Sequence, residues 1–100
     1  MKRSLVLMLV TILFSSSVIA QIEIKIISYN VLEGLGNEES YGEGRHERCV
    51  KWLQEQNAEV IALQELYESE EKLAGDAKDW GHRYYAKAGP IGLTSKEPLE

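Results

Sequence analysis

The chain has 100 residues, 27% of them charged, and a formal net charge of −5. That surplus of acid excludes attraction to a nucleic-acid backbone by charge alone, because non-specific affinity for it comes from Lys and Arg. A phosphate-bearing substrate stays within reach, since a bound divalent cation reverses the local field. Cys49 is the single cysteine, so no disulfide within the chain supports the fold.

The first segment reads as a leader. Lys2 and Arg3 form a positive start, Leu5 to Phe14 an apolar run broken only by Thr11, and Val18 and Ala20 stand at small-residue positions before a cut. The expectation is a signal peptide over residues 1–20 and an exported, secreted or periplasmic product beginning at Gln21. The apolar run is about half the length of a membrane span, so cleavage leaves no membrane attachment. Loss of Lys2 and Arg3 takes the formal charge from −5 to −7.

Ile22, Ile24 and Ile26 alternate with Glu23 and Lys25, the period of a half-covered strand. The run becomes apolar at Ile26-Ile27 and polar at Asn30. Glu33 to Gly44 carries four glycines and reads as a loop. Arg45 to Gln56 predicts a helix with Cys49, Val50 and Leu53 on its apolar stripe, Trp52 beside it and Asn57 as its stop. Val60 to Leu63 predicts a strand buried on both faces. Strand, helix, strand is the βαβ order of an α/β protein.

Ser69 then caps a second helix, with Glu70 and Glu71 in its first turn and Leu73, Ala74, Ala77 and Trp80 facing inward. Gly81 ends it. His82 to Ala86 predicts a third strand, Gly89-Pro90 a turn, and Ile91 to Ser95 a fourth strand.

Two strands end on polar oxygens, Ile26-Ile27-Ser28-Tyr29-Asn30 and Val60-Ile61-Ala62-Leu63-Gln64-Glu65. In open α/β sheets ligands gather at the carboxyl ends of strands, and hard cations take oxygen ligands. Asn30 and Glu65 are the candidate metal ligands; adjacent strands would bring them to one rim. The remaining polar groups have plainer readings. Cys49 is a small buried hydrophobe, and His82 is structural or exposed. His46 sits on the outer helix face, and Arg45 and Arg48 are surface positions. Glu38-Glu39 and Glu70-Glu71 are solvated turns.

Taken together, the strand-Asn motif, the Arg-led helix, the Gln64-Glu65 strand end and Gly92-Leu93-Thr94-Ser95-Lys96-Glu97-Pro98 resemble the endonuclease/exonuclease/phosphatase superfamily. The resemblance spans most of Ile24 to Glu100. It implies a four-layer α/β sandwich, of which residues 21–100 would be the N-terminal part. It also implies hydrolysis of phosphate esters with Mg²⁺ or Mn²⁺. Glu65 would then ligate the metal, Asn30 would bind the metal or its water, and Gln64 would shape the site. The His-Asp pair that activates water in such families would lie downstream of the segment matching Glu65, so no catalytic residue is assigned here and the chain alone is expected to be inactive. The alternative is a small secreted binding protein that keeps part of the fold without catalysis, its apolar sheet face covered by a partner.

Overall fold

The structure, a computed structural model, describes residues 22–99; the leader expected over 1–20 lies outside them. Four strands and three helices follow in the order β1 (Ile26–Asn30), α1 (Glu38–Tyr41), α2 (Arg45–Gln56), β2 (Val60–Gln64), α3 (Glu70–Asp79), β3 (Tyr84–Ala88) and β4 (Ile91–Ser95). The sheet order is β1-β2-β4-β3. β1 and β2 are parallel, joined through α2, whereas β4 runs antiparallel to both neighbours. The result is a small mixed α/β domain with one four-stranded mixed sheet. Among the described residues no helix is long and apolar enough to cross a membrane.

Capping chemistry sets the helix ends. Ser69 accepts a hydrogen bond from the Lys72 backbone at the start of α3, and Asn57 closes α2 in the left-handed region at φ 48°. Gly81, at φ 93°, lets the chain reverse after Trp80. The glycine-rich loop holds one helical turn that its composition hides: Asn37 accepts from the Ser40 N–H and starts α1.

Two strand starts differ from the sequence expectation. The Ile22 alternation becomes strand only at Ile26, because the Lys25 N–H is taken by a side chain rather than by a neighbouring strand. That N–H donates to the Glu59 carboxylate at 2.6 Å and the Lys25 carbonyl accepts from the Glu59 N–H at 2.9 Å. The Lys25 hydrogen bond holds the Glu59 carboxyl below the usual range. β3 begins at Tyr84 rather than His82, because the His82 N–H bonds back to the Ala77 carbonyl at 2.7 Å and its ring turns inward.

The core lies between the sheet and the helices. Ile61 and Leu63 of β2 meet Cys49 and Leu53 of α2, Leu73 and Ala77 of α3 and Trp80 just after it, with Val31, Leu35, Ala58 and Leu66 closing the ends. Burying each large side chain of this set contributes about 1.5–3 kcal/mol. Gly92 has no space for a side chain: a Cβ there would stand 2.6 Å from Leu66 Cδ2 and 3.2 Å from Leu73 Cδ2. Gly92→Ala is therefore expected to lower stability by about 1–3 kcal/mol through overpacking, read as a lower urea midpoint at unchanged slope.

Among the described residues the other sheet face has no helix. Cross-strand rows Ile26–Val60–Ser95–Tyr84 and Ser28–Ala62–Leu93–Ala86 run across it, bordered by Ile91 and Ala88. Ile26 is 65% exposed and Ile91 55%. β2 was expected to be covered on both sides, but Val60, Ala62 and Gln64 are only half-buried because this face is open.

Candidate metal centre at the carboxyl rim of the sheet

Parallel pairing places Asn30 directly opposite Gln64 at the carboxyl ends of β1 and β2. Glu65 is the next residue, so the Asn30 and Glu65 Cα atoms stand roughly 6 Å apart, from strand spacing and rise. The two candidate ligands thus share one rim, as the strand-end pattern implied.

The backbone around them is unusual. Leu32, Glu33 and Glu65 adopt φ of 51°, 70° and 57°, a region that L-residues seldom enter. Such conformations cost on the order of 1–3 kcal/mol each and gather at binding sites. In a continued strand residue 65 would follow Leu63 beneath the helices. The left-handed turn ends that alternation and leaves Glu65 half-exposed. The chain is then tied down at once: the Leu66 N–H donates to the Pro90 carbonyl at 2.7 Å, joining the rim to the β3–β4 turn.

The side chains fit a hydrated cation better than a closed cage. The Asn30 Oδ1 accepts from the Leu32 N–H at 2.9 Å and keeps a second lone pair. Neither a hydrogen bond nor a salt bridge engages the Glu65 carboxylate among the described residues. Gln64 donates to the Ser28 hydroxyl at 3.1 Å, which fixes its amide on the open face. Among the described residues no three His, Cys, Asp or Glu side chains come together to hold a metal. One carboxylate and one amide oxygen are a donor set that Mg²⁺ accepts, because that ion keeps several waters and takes its other ligands from substrate phosphate.

Residues given plain readings in the sequence hold the rim in place. Arg45 is not a surface position: it is buried, and its guanidinium donates to the Leu32 carbonyl at 3.3 Å, the Gly34 carbonyl at 2.8 Å and the Val31 carbonyl. The Tyr41 ring lies 4.4 Å from its central carbon. One arginine thus satisfies the carbonyls of the loop that follows Asn30. From the other side, Glu68 accepts from the Gly36 N–H at 3.3 Å, while its Oε2 is buried without a partner among the described residues. Neither role has a local signal in the sequence, because both are contacts across more than ten residues.

The two histidines stand away from the rim. His46, expected on the outer face of α2, meets Asp76 of α3 at 2.9 Å and clasps the two helices. His82 is buried and bonds the Thr94 hydroxyl at 2.8 Å and the Ala58 carbonyl at 2.7 Å. Ser95 and Lys96 lie at the opposite end of β2 from the rim. The Lys96 ammonium donates to Asn57 Oδ1 at 2.6 Å, and the Lys96 N–H bonds the Glu59 carbonyl. Cys49 is buried, as expected, with its sulfur 3.8 Å from the Tyr29 hydroxyl. Burial and that contact push the Tyr29 hydroxyl upward from its ordinary value.

No protein-family model matches the chain, and no curated protein matches it either.

Proposed function

We propose that this chain carries the metal-binding rim of a phosphoric ester hydrolase of the endonuclease/exonuclease/phosphatase type. The observation that carries the proposal is the parallel register of β1 and β2, which brings Asn30 and the left-handed Glu65 to one carboxyl rim beside the left-handed pair Leu32 and Glu33. Glu65 would hold Mg²⁺ or Mn²⁺ through its carboxylate, and Asn30 would hold the ion or its water. A bound divalent cation supplies positive charge to a phosphate and its leaving oxygen. The chain's own contribution is to fix two oxygens at the rim, through Arg45 below the loop and the Leu66–Pro90 bond beside it.

Both histidines are held in structural contacts away from the rim, so neither supplies the base that activates water. Metal binding without turnover is the expected behaviour of the isolated chain. Manganese titration followed by electron paramagnetic resonance tests this. Glu65→Gln is expected to weaken Mn²⁺ at least tenfold and Asn30→Ala several-fold, with unchanged circular dichroism. Equal affinity in wild type and Glu65→Gln would remove the metal reading.

The open apolar face supports the second reading, a secreted module that binds another polypeptide. Retention of the fold with no divalent-cation affinity at all would favour it.

A further inference from the structure

A hollow of about 410 Å³ lies where the last turn of α3 meets β3, lined by Ala74, Lys78, Gly81, His82, Arg83 and Tyr85. No carboxylate lines it, although the chain has 16 acidic residues against 11 basic ones. Its exposed polar side chains, those of Lys78, Arg83 and Tyr85, can all donate hydrogen bonds. None of these three side chains has a hydrogen-bond or ion-pair partner among the described residues. His82 adds no acceptor, because both of its ring nitrogens are engaged, with Thr94 and the Ala58 carbonyl. Asp79 follows Lys78 in the chain but is not in the lining.

Cations in the last turn of a helix ordinarily complement its dipole. Here that end is already closed. The carbonyls of Asp76, Ala77 and Lys78 accept from the N–H groups of Trp80, His82 and Gly81. The two cations are therefore left to face the hollow. Gly81 presents bare backbone to it: φ is 93°, and a Cβ there would meet nothing within 4 Å.

We infer that this hollow binds a phosphate group, either as inorganic phosphate or as the end of a phosphate monoester. Two full positive charges balance a dianion. The Arg83 guanidinium can offer a fork of donors to two phosphate oxygens, the Lys78 ammonium a point charge and the Tyr85 hydroxyl one further donor. A carboxylate has only two oxygens and one charge, so it would leave part of this set unused.

The hollow stands apart from the rim. Tyr85 pairs with Thr94 and Thr94 with Ile61, so Tyr85 lies on the helix side, two strands across from β2 and four residues short of Glu65. Strand spacing and rise make that separation roughly 16 Å, too far for one phosphate to touch both. A second sheet laid on the helix-free face would leave the hollow open, since the helices are the outer layers of such a sandwich. The inference does not rest on the metal reading.

It is tested with divalent cations removed by a chelating resin. Backbone amide signals of the isotope-labelled protein are followed by NMR as inorganic phosphate is added at a constant ionic strength of about 0.15 M. Saturable shifts at Lys78, Gly81, Arg83 and Tyr85 are expected, with a dissociation constant on the order of a millimolar, as exposed charges give. Acetate should bind about fivefold more weakly. Glycerol phosphate separates the two sources: tighter binding than inorganic phosphate assigns the site to an ester, equal or weaker binding to free phosphate. Lys78→Gln and Arg83→Gln change exposed positions, and each should weaken phosphate roughly fivefold at an unchanged urea midpoint. Lys87→Gln should have no effect, since that ammonium, on the same strand, is bound to the Gly89 carbonyl. The absence of saturable shifts up to about 20 mM phosphate would overturn the inference. So would shifts that sodium chloride reproduces, shifts confined to the Asn30 and Glu65 signals, or an affinity indifferent to both Lys78→Gln and Arg83→Gln.

Discussion

Replacing Arg45 by methionine is expected to destabilise the domain by about 3–4 kcal/mol. The guanidinium is buried and serves three backbone carbonyls, those of Val31, Leu32 and Gly34. Methionine keeps much of the volume but none of the donors. A hydrogen bond from a charged donor contributes about 1.5–3 kcal/mol, and a buried acceptor left alone costs about 1–3. The three losses do not add in full, since part of the loop can move toward water once released. The same movement carries Asn30 away from Gln64, so the Mn²⁺ affinity proposed for the rim should fall together with the urea midpoint. Arg45→Lys retains a charge but not the planar fork, and is expected to recover less than half of the lost stability. An Arg45→Met protein with wild-type stability would show that the loop finds its own hydrogen bonds.

His82→Ala is expected to cost about 3 kcal/mol for a different reason. The Trp80 indole N–H donates to Thr94 Oγ1 at 3.0 Å, and the same hydroxyl meets His82 Nδ1 at 2.8 Å. Since Nε2 must donate to the Ala58 carbonyl, Nδ1 accepts from the Thr94 hydroxyl. Indole, hydroxyl, imidazole and carbonyl therefore form one chain with every donor used. Truncation at residue 82 strands the Ala58 carbonyl and the Thr94 hydrogen and opens a cavity beneath β4. Thr94→Val breaks the same chain at its centre but keeps the volume, and should cost about 1–2 kcal/mol. A double-mutant cycle checks the coupling: the paired loss should be smaller than the sum of the single losses by at least 0.5 kcal/mol.

Sequence periodicity was sufficient for elements whose ends are marked locally. Ser69, Asn57 and Gly81 all stand at helix boundaries because capping is a contact within a few residues. The two strand ends and their meeting at one rim were readable for a similar reason. A βαβ unit leaves few ways to pair its strands. What could not be read depends on distant partners. Arg45 and His46 look like ordinary helix surface until the loop after β1 and Asp76 of α3 are placed beside them. His82 looked like the start of a strand because aromatic and β-favouring residues follow it, whereas its backbone belongs to the end of α3. Glu65 was visible as a polar strand end, but not its left-handed backbone, since no residue-type preference announces φ of 57° at a glutamate.

The pairing of β1 carries a consequence for ligand affinity. β1 reaches its place beside β2 by closing a segment of some thirty residues through α2, much as β4 reaches the other side of β2 across α3 and β3. Loop-closure entropy opposes that pairing. β1 is also an edge strand, hydrogen-bonded on one side only. Asn30 is on this strand and Glu65 is not. A cation that uses both oxygens therefore binds only the fraction of molecules in which β1 is docked. Its apparent affinity is reduced by that fraction. By reciprocity, an ion bound as proposed would act as a clip on this edge of the sheet, so that occupancy of the rim and order of the first strand would become a single equilibrium.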